Sequence, residues 1–213
     1  MADLATTLRD QRRQTAMSEI AQVALRLFLS TGFDETSVED IAAAAGCSPR
    51  TFYRYFGTKE DVMFHDIPAM LERLDELLAG HLADGLPPWT AITESLVAMI
   101  ERFDRSTPNS PDLAVERMVL WMKVPALRMR YILYVTAAES KVGERVSSRL
   151  ESSSDLGPLM AVTAIGAYRA TMFTHSLSAP EQLANHLRRS LAIAGAGFAA
   201  VPTTTGSTST SAS

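Results

Sequence analysis

Residues 37–59, SVEDIAAAAGCSPRTFYRYFGTK, decide the fold, because they combine two helix starts with one helix stop. Ser37 precedes an apolar and acidic stretch with a carboxylate three residues later, so its hydroxyl can cap a first helix. That helix runs through small alanines and ends at Gly46, which readily adopts the left-handed conformation. Ser48 caps a second helix, and Pro49 occupies its first position, where a missing N–H costs nothing. Two short helices around a tight turn predict a helix-turn-helix.

The second helix, predicted over residues 49–56, has one apolar face and one face suited to DNA. Phe52 and Phe56 are four residues apart, so both can pack into the domain. Arginine pairs with guanine, threonine contacts a base edge, and tyrosine reaches a phosphate or a thymine methyl group. We predict that the side chains nearest the bases or the adjoining phosphates belong to Arg50, Thr51 and Tyr53, with Pro49 and Arg54 on the same contact surface. The alternative is an ordinary helical hairpin with a solvated basic face.

Other side chains are predicted to contact the phosphate backbone of DNA. Lys59 falls at the next helix start, where an ammonium group and free backbone N–H groups together suit one phosphate. Arg12 and Arg13 stand at the start of the predicted first helix, where they can track a phosphate backbone or remain solvated. The predicted backbone contacts are Arg12, Arg13, Ser37, Ser48, Tyr55 and Lys59.

This pattern resembles the N-terminal signature of the TetR family of bacterial transcriptional regulators over residues 12–62. The residues that carry the resemblance are Phe28, Gly32, Phe33, Ser37, Val38, Ile41, Ala42, Ala45, Gly46, Ser48, Thr51, Tyr53, Phe56, Lys59 and Glu60. Cys47 and the pair Pro49-Arg50 depart from the family's commoner residues. The resemblance implies an all-helical homodimer that binds a palindromic double-stranded DNA operator. It also implies a protein that usually represses transcription and releases the DNA when a small ligand enters its C-terminal domain.

Composition and charge agree with this expectation. The chain has 213 residues, of which 46% are hydrophobic, and its mean hydropathy is +0.04. Both values are typical of a globular protein. Its net charge of −4 argues mildly against nucleic acid as the partner of the whole surface, but residues 46–59 carry basic side chains and no acidic one. The sequence contains no apolar run long enough to cross a membrane and no signal peptide, which predicts a cytoplasmic protein.

The sequence gives little support for catalysis. A single cysteine, Cys47, excludes an internal disulfide and a multi-cysteine zinc site. The four histidines lack metal-binding spacing, and no nucleophile stands with an evident base and orienting group. We therefore expect no catalytic residue, no metal site and no cofactor. A helical enzyme remains as an alternative from a different class.

Taken in order, the chain predicts nine or ten helices in an all-α fold. Residues 1–59 form a three-helix DNA-binding domain, with a mobile polar arm over residues 1–10 and a first helix over residues 11–29. Residues 60–201 form a helical ligand-binding and dimerisation domain. Its first helix is predicted over residues 60–79, with a kink one turn before Pro68. The threonine- and serine-rich composition of residues 202–213 predicts a disordered tail.

The last two predicted helices, residues 158–176 and 180–200, have the ingredients of a four-helix dimer interface. These ingredients are an apolar stripe and a set of small residues: Leu183, Leu187, Leu191, Ala194 and Phe198 on one helix, and Ala161, Ala164, Gly166, Ala167 and Ala170 on the other. The alternative is that both helices complete the core of a monomer, which periodicity cannot distinguish from an interface. The family resemblance favours the dimer.

A pocket for a small hydrophobic or amphipathic effector is predicted between residues 85 and 180. Methionines adapt their shape and aromatic rings bind flat apolar groups, and both residue types are concentrated here. The predicted lining residues are Met99, Phe103, Met118, Trp121, Met122, Tyr131, Tyr134 and Phe173. The alternatives are that these side chains form a packed core, and that the protein is a ligand-independent regulator or an activator.

Overall fold

The computed structural model of the chain describes residues 2–106, 111–150, 155–175 and 180–197. Within these ranges the backbone forms nine α-helices, one 3₁₀ helix over Glu60–Phe64 and no strand, which confirms the all-α prediction. The predicted tail, residues 202–213, lies outside the described residues, as does Phe198. The α-helices are α1 (Ala2–Ser30), α2 (Val38–Ala44), α3 (Pro49–Tyr55), α4 (Ile67–Ala83), α5 (Pro88–Ser106), α6 (Pro111–Lys123), α7 (Pro125–Ser147), α8 (Leu156–His175) and α9 (Pro180–Gly195).

The chain divides into two compact units. The first contains residues 1–69 and 109–133, which include α1 to α3, the 3₁₀ helix, α6 and the first part of α7. The second contains residues 70–108 and 134–213, which include most of α4, α5, the rest of α7, α8 and α9. The division predicted at residue 59 stays a prediction.

Helix α1 is longer than the sequence suggested. The predicted start of the first helix at residue 11 is wrong, because α1 begins at Ala2. The mobility predicted for residues 1–10 stays a prediction. Neither glycine nor proline interrupts residues 2–30, so each residue added to a formed helix gains a backbone hydrogen bond. One face of α1 packs on α2, the 3₁₀ helix and α6. The buried residues of this face are Met17, Ile20, Ala21, Ala24, Leu25 and Phe28.

The helix predicted over residues 60–79 is wrong at its start. Glu60–Phe64 forms a 3₁₀ helix, and α4 begins only at Ile67. Pro68 is therefore the second residue of α4, where no intrahelical partner is lost with its missing N–H. Pro68 opens the helix instead of kinking it. The 3₁₀ helix buries Val62, Met63 and Phe64 in the first unit.

In the second unit, α8 and α9 pack on each other and α5 packs on both. Small side chains of α8, including Ala161 and Ala164, are fully buried there, as are Leu187 and Leu191 of α9. The prediction that these four residues form a dimer interface is wrong, because each is covered by its own chain. The alternative, that they complete the core of the monomer, is correct for them. Trp89 of α5 joins this core by donating its indole N–H to the carbonyl of Leu191 over 3.1 Å.

Candidate nucleic-acid interface

The start of α2 is fixed by a capping box. The backbone N–H of Asp40 donates to Ser37 Oγ over 3.1 Å, and the backbone N–H of Ser37 donates to Asp40 Oδ2 over 2.9 Å. Hydrogen bonds from the Ser37 side chain and backbone lower the pKa of Asp40 below its ordinary value. The carboxylate therefore stays ionised at the positive end of α2.

The turn between α2 and α3 closes as the sequence predicted. Gly46 has a φ of 66°, in the left-handed region, and Cys47 donates its N–H to the carbonyl of Ala42 over 2.9 Å. Ser48 Oγ then accepts the backbone N–H of Thr51 over 3.1 Å and lies 3.0 Å from Thr51 Oγ1. Because both ends of the turn are tied by hydrogen bonds, α2 and α3 are held in one geometry.

Helix α3 has the two faces that the sequence predicted. Phe52 is fully buried and Phe56, which follows α3, is nearly so, with their ring centroids 4.9 Å apart. Arg50 and Arg54 are exposed, and Tyr53 keeps 53% of its surface exposed. A short helix anchored by buried aromatic rings thus presents two guanidinium groups and a phenol to the outside, which is the chemistry of a DNA-reading helix.

Arg54 and Tyr55 form a pair on this surface. The Arg54 guanidinium carbon lies 4.9 Å from the centroid of the Tyr55 ring, and Nη2 donates to the Tyr55 hydroxyl over 3.3 Å. A guanidinium held in this way loses less side-chain entropy when it meets a phosphate or a base.

Lys59 has a structural role that the sequence analysis missed. Its ammonium donates to the carbonyls of Phe33 and Thr36 over 2.6 and 3.0 Å and lies 4.2 Å from the centroid of the Phe33 ring. It ties the loop before α2 to the segment after α3. An ammonium group has three N–H donors, and the predicted phosphate contact stays a prediction.

Two ion pairs connect α6 and α7 to the segment that follows α3, and no sequence signal revealed them. Arg130 of α7 pairs with Asp61, and Arg117 of α6 donates to Asp66 over 2.9 and 3.1 Å. Asp61 also accepts the backbone N–H of Thr58 over 2.9 Å. The spacing of Thr58 and Asp61, which is that of a capping box, could have indicated this last contact. The segment after α3 is therefore fixed at both ends.

The remaining residues predicted to contact DNA are exposed. Arg12 and Arg13 are exposed on α1, within the helix instead of at its start. Ser37, Ser48 and Pro49 are exposed at the two helix starts described above. Their contacts with DNA stay predictions.

The predicted effector residues are divided between the two units. Met118, Trp121, Met122 and Tyr131 belong to the first unit, and Met99, Tyr134 and Phe173 to the second. Of these, the rings of Trp121 and Tyr131 stack with their centroids 5.5 Å apart, and Met99 packs against the second core. The Phe103 side chain lies outside the described part of the chain. A shallow surface depression in the second unit, too small to enclose a water molecule, is lined by none of the eight; its lining residues are Leu71, Leu74, Asp75, Ala138, Lys141 and Val142.

Two histidine contacts have simple structural explanations. His81 Nδ1 lies 3.0 Å from the hydroxyl of Ser95, a buried residue whose Oγ donates to the carbonyl of Ala91. His175 and His186 stack with their ring centroids 3.7 Å apart. Over the described ranges, His, Cys, Asp and Glu side chains form no group of three that could hold a metal ion. Nor does any described helix have the length and apolar character needed to cross a membrane.

Two family models match this chain. The family model for bacterial regulatory proteins of the tetR family matches residues 20–65, and the model for the MftR C-terminal domain matches residues 86–199. The protein named as the mycofactocin biosynthesis transcriptional regulator MftR of Mycobacterium tuberculosis is 27% identical over 81% of this chain and 88% of its own. The HTH-type transcriptional regulator TcmR of Streptomyces glaucescens is 28% identical over 75% of this chain and 72% of its own.

A solved structure has the same fold. It is FadR of Thermus thermophilus, described as a TetR-family transcriptional repressor in complex with lauroyl-CoA, with 23% identity and a TM-score of 0.51 over 84% of this chain and 92% of its own. The relatives named above are transcriptional regulators. With a helix-turn-helix whose geometry suits DNA and two family models that together extend from residue 20 to residue 199, the chain belongs to the TetR family of bacterial regulatory proteins.

Proposed function

We propose that the protein is a transcriptional repressor that binds a palindromic operator as a homodimer and releases it when a small ligand binds. The observation that carries this proposal is the outer face of α3, where Arg50, Tyr53 and Arg54 stand exposed on a helix anchored by buried Phe52 and Phe56. In the major groove this face would offer bidentate donors to guanine and a hydroxyl to a base edge or phosphate. Such a regulator would act in the cytoplasm.

Sequence preference and charge can be tested separately. A duplex recovered from a random-sequence pool serves as the operator, and binding is followed by fluorescence anisotropy. Arg50→Ala should cost about 1 to 3 kcal/mol and relax the preference at one base pair, because a bidentate contact is lost. Arg12→Ala should weaken binding to all sequences alike and lower the salt slope by about one unit. Arg128→Ala, which removes an exposed arginine of α7, is the control. Equal affinity and equal preference for all four proteins would refute this mode of DNA binding.

The proposed dimer uses outward-facing residues of α8 and α9. Leu159 and Val162 of α8 are 52% and 51% exposed, and Ile193 of α9 is 80% exposed. Leu159 and Val162 are three residues apart and share one helix face, so the pair forms an exposed apolar strip. A palindromic operator needs two reading helices about 34 to 36 Å apart, which one chain does not supply.

Charged substitutions distinguish this interface from the core. Val162→Glu combined with Ile193→Glu should convert the dimer into a helical monomer. In the monomer the two carboxylates face solvent, whereas in the dimer they would be buried against an apolar surface. Thr136→Glu, at an exposed position of α7, is the matched control. Sedimentation velocity measures the mass, and circular dichroism the helicity. A monomeric wild-type protein at micromolar concentration would contradict the proposal.

Release by a ligand is supported by the similarity of fold to a repressor described with lauroyl-CoA. A ligand weakens operator binding only by binding the released conformation more tightly, by about 1.4 kcal/mol for each tenfold loss of affinity. A reporter gene behind the recovered operator distinguishes repression from the alternative of activation. Loss of expression on adding the protein supports a repressor, and a gain of expression supports an activator.

A further inference from the structure

The two tryptophans of the chain differ in how their indole N–H groups are satisfied. Trp89 donates to the carbonyl of Leu191. Trp121 is only 7% exposed, and its Nε1–H has no hydrogen-bond partner among the described residues. A buried donor without an acceptor destabilises the folded state, and an apolar side chain at this position would avoid that cost. The position is therefore suited to an acceptor that comes from outside the chain.

Two aromatic rings stack on this indole. The Trp121 indole stacks on Phe64 with ring centroids 4.9 Å apart and planes 13° apart, and on Tyr131 at 5.5 Å and 24°. The N–H lies in the plane of the indole, so a planar ligand that enters at the indole edge, in that plane, can accept the N–H and pack against the stacked rings. Met118, half-buried one turn away on α6, and Met122, 37% exposed, are side chains that can move to admit it.

The charge next to the indole is already neutralised. The Arg117 guanidinium lies 4.9 Å from the centroid of the Trp121 ring and donates to both carboxylate oxygens of Asp66. Burial by itself raises the pKa of Asp66, but the charges of Arg117 and His65, the hydrogen bonds from Arg117 and one from its own backbone bring that pKa below its ordinary value, so the carboxylate stays ionised. A paired guanidinium offers little to an anion, so the site favours an uncharged acceptor.

We propose that Trp121 donates its indole N–H to a carbonyl oxygen of a flat, uncharged aromatic ligand that enters in the plane of the indole, at the edge of the Trp121–Tyr131 stack. This inference rests on the proposed function, because it names the class of ligand that releases the operator and the atom that recognises it. The position explains how the ligand acts on DNA binding. Phe64, which stacks on Trp121, ends the 3₁₀ helix, and the next residue, His65, packs its ring against Phe56 at 6.4 Å. A ligand that moves Trp121 disturbs the anchor of α3.

The experiment follows the indole N–H signals of the ¹⁵N-labelled protein by NMR. Trp121→Phe identifies the Trp121 signal by its loss, and the remaining signal belongs to Trp89. The probe is 1-acetylnaphthalene, which is flat, uncharged and carries a carbonyl. Two molecules of nearly the same shape are compared with it: 1-ethylnaphthalene, which lacks the acceptor, and 1-naphthoate, which carries a negative charge. The acetyl compound should move the Trp121 proton downfield and leave the Trp89 signal in place.

Affinity provides the second readout. 1-Ethylnaphthalene should bind about tenfold more weakly than the acetyl compound, as expected for one lost hydrogen bond, and Trp121→Phe should remove that difference. 1-Naphthoate should also bind more weakly, because its charge would be buried without a partner, and this difference should remain in Trp121→Phe. The acetyl compound should lower the operator affinity of the wild-type protein, and Trp121→Phe should reduce this effect. Trp89→Phe, which removes an indole N–H that is already paired, is the control for the substitution and should keep the difference.

Several results would overturn the inference. One is a Trp121 signal that does not move with the acetyl compound, and another is one that moves equally with the ethyl compound. A third is a downfield position without any probe, since that would mean a resident water already pairs the N–H. These outcomes are separable from a failure of the proposed function, because operator binding without any probe tests the latter independently.

Discussion

The reading segment, residues 37–66, and the α8–α9 pair are stabilised by different interactions. In the reading segment, hydrogen bonds and charges at helix ends fix the geometry, as in the capping box of Ser37 and the two carbonyl contacts of Lys59. In the α8–α9 pair, the packing of small and branched apolar side chains fixes the geometry, and Leu187 and Leu191 are fully buried. Because hydrogen bonds at the helix ends fix the reading segment, the outer face of α3 stays free for a partner. The stability of the α8–α9 pair depends instead on which helix faces are buried.

The largest expected effect belongs to the packed pair. Leu187→Ala should lower the free energy of unfolding by about 2 to 5 kcal/mol, because it removes buried methyl groups and leaves a cavity. Asn185→Ala, at an exposed position of the same helix, is the matched control, and it should change the free energy of unfolding by less than about 0.5 kcal/mol. Urea unfolding followed by circular dichroism measures both. Equal losses would mean that the inner face of α9 has been assigned incorrectly.

The next effect tests the ion pair below the reading segment. Arg117→Ala should lower the free energy of unfolding by about 2 to 3 kcal/mol at pH 7, because Asp66 loses its partner while the side chains of both residues are less than one third exposed. Arg128→Ala, at an exposed position of α7, should change it little. Denaturant titrations of the three proteins provide the comparison.

The same pair has a defined pH dependence. Because the folded state lowers the pKa of Asp66, the contribution of the pair is complete above the unfolded value of about 4 and is lost as the pH falls further. The wild-type protein should therefore lose more stability than Arg117→Ala between pH 5 and pH 3. Parallel pH profiles for the two proteins would show that Asp66 contributes nothing through Arg117.

A smaller effect is expected at Lys59. Lys59→Met keeps much of the side-chain length but removes the two hydrogen bonds to the carbonyls of Phe33 and Thr36, which should cost about 1.5 to 2 kcal/mol. If Lys59 also contacts a phosphate, the salt slope of operator binding should fall by about one unit as well. A change in stability without a change in slope would assign Lys59 a structural role alone.

The smallest effect concerns the capping box. Ser37→Ala should cost about 1 kcal/mol, because the N–H of Asp40 loses its acceptor at the start of α2. Ser37→Asn keeps a side-chain acceptor and should recover most of this loss. Hydrogen exchange at the first turn of α2 reports the change locally. No difference between the two variants would show that the cap does not fix the helix start.

These two regions also explain how far the sequence could be interpreted. In the reading segment the signals are local, so Ser37, Gly46 and Ser48 predicted the helix ends correctly, and the spacing of Phe52 and Phe56 predicted the buried face of α3. In the α8–α9 pair the pattern predicted the helices but assigned Leu187 to the wrong surface, because periodicity shows that a face is apolar and not what covers it. The contacts of Lys59, Asp61 and Asp66 join residues far apart in the sequence, and only the fold brings them together.

The central claim is that two copies of α3 read one operator, and a hydroxyl-radical footprint on the duplex recovered from the random pool tests it most directly. We expect two protected patches related by two-fold symmetry, with centres one helical turn apart on the same face of the DNA. Arg50→Ala should weaken both patches together. A single patch, a footprint without symmetry, or protection that does not depend on Arg50 would contradict the account.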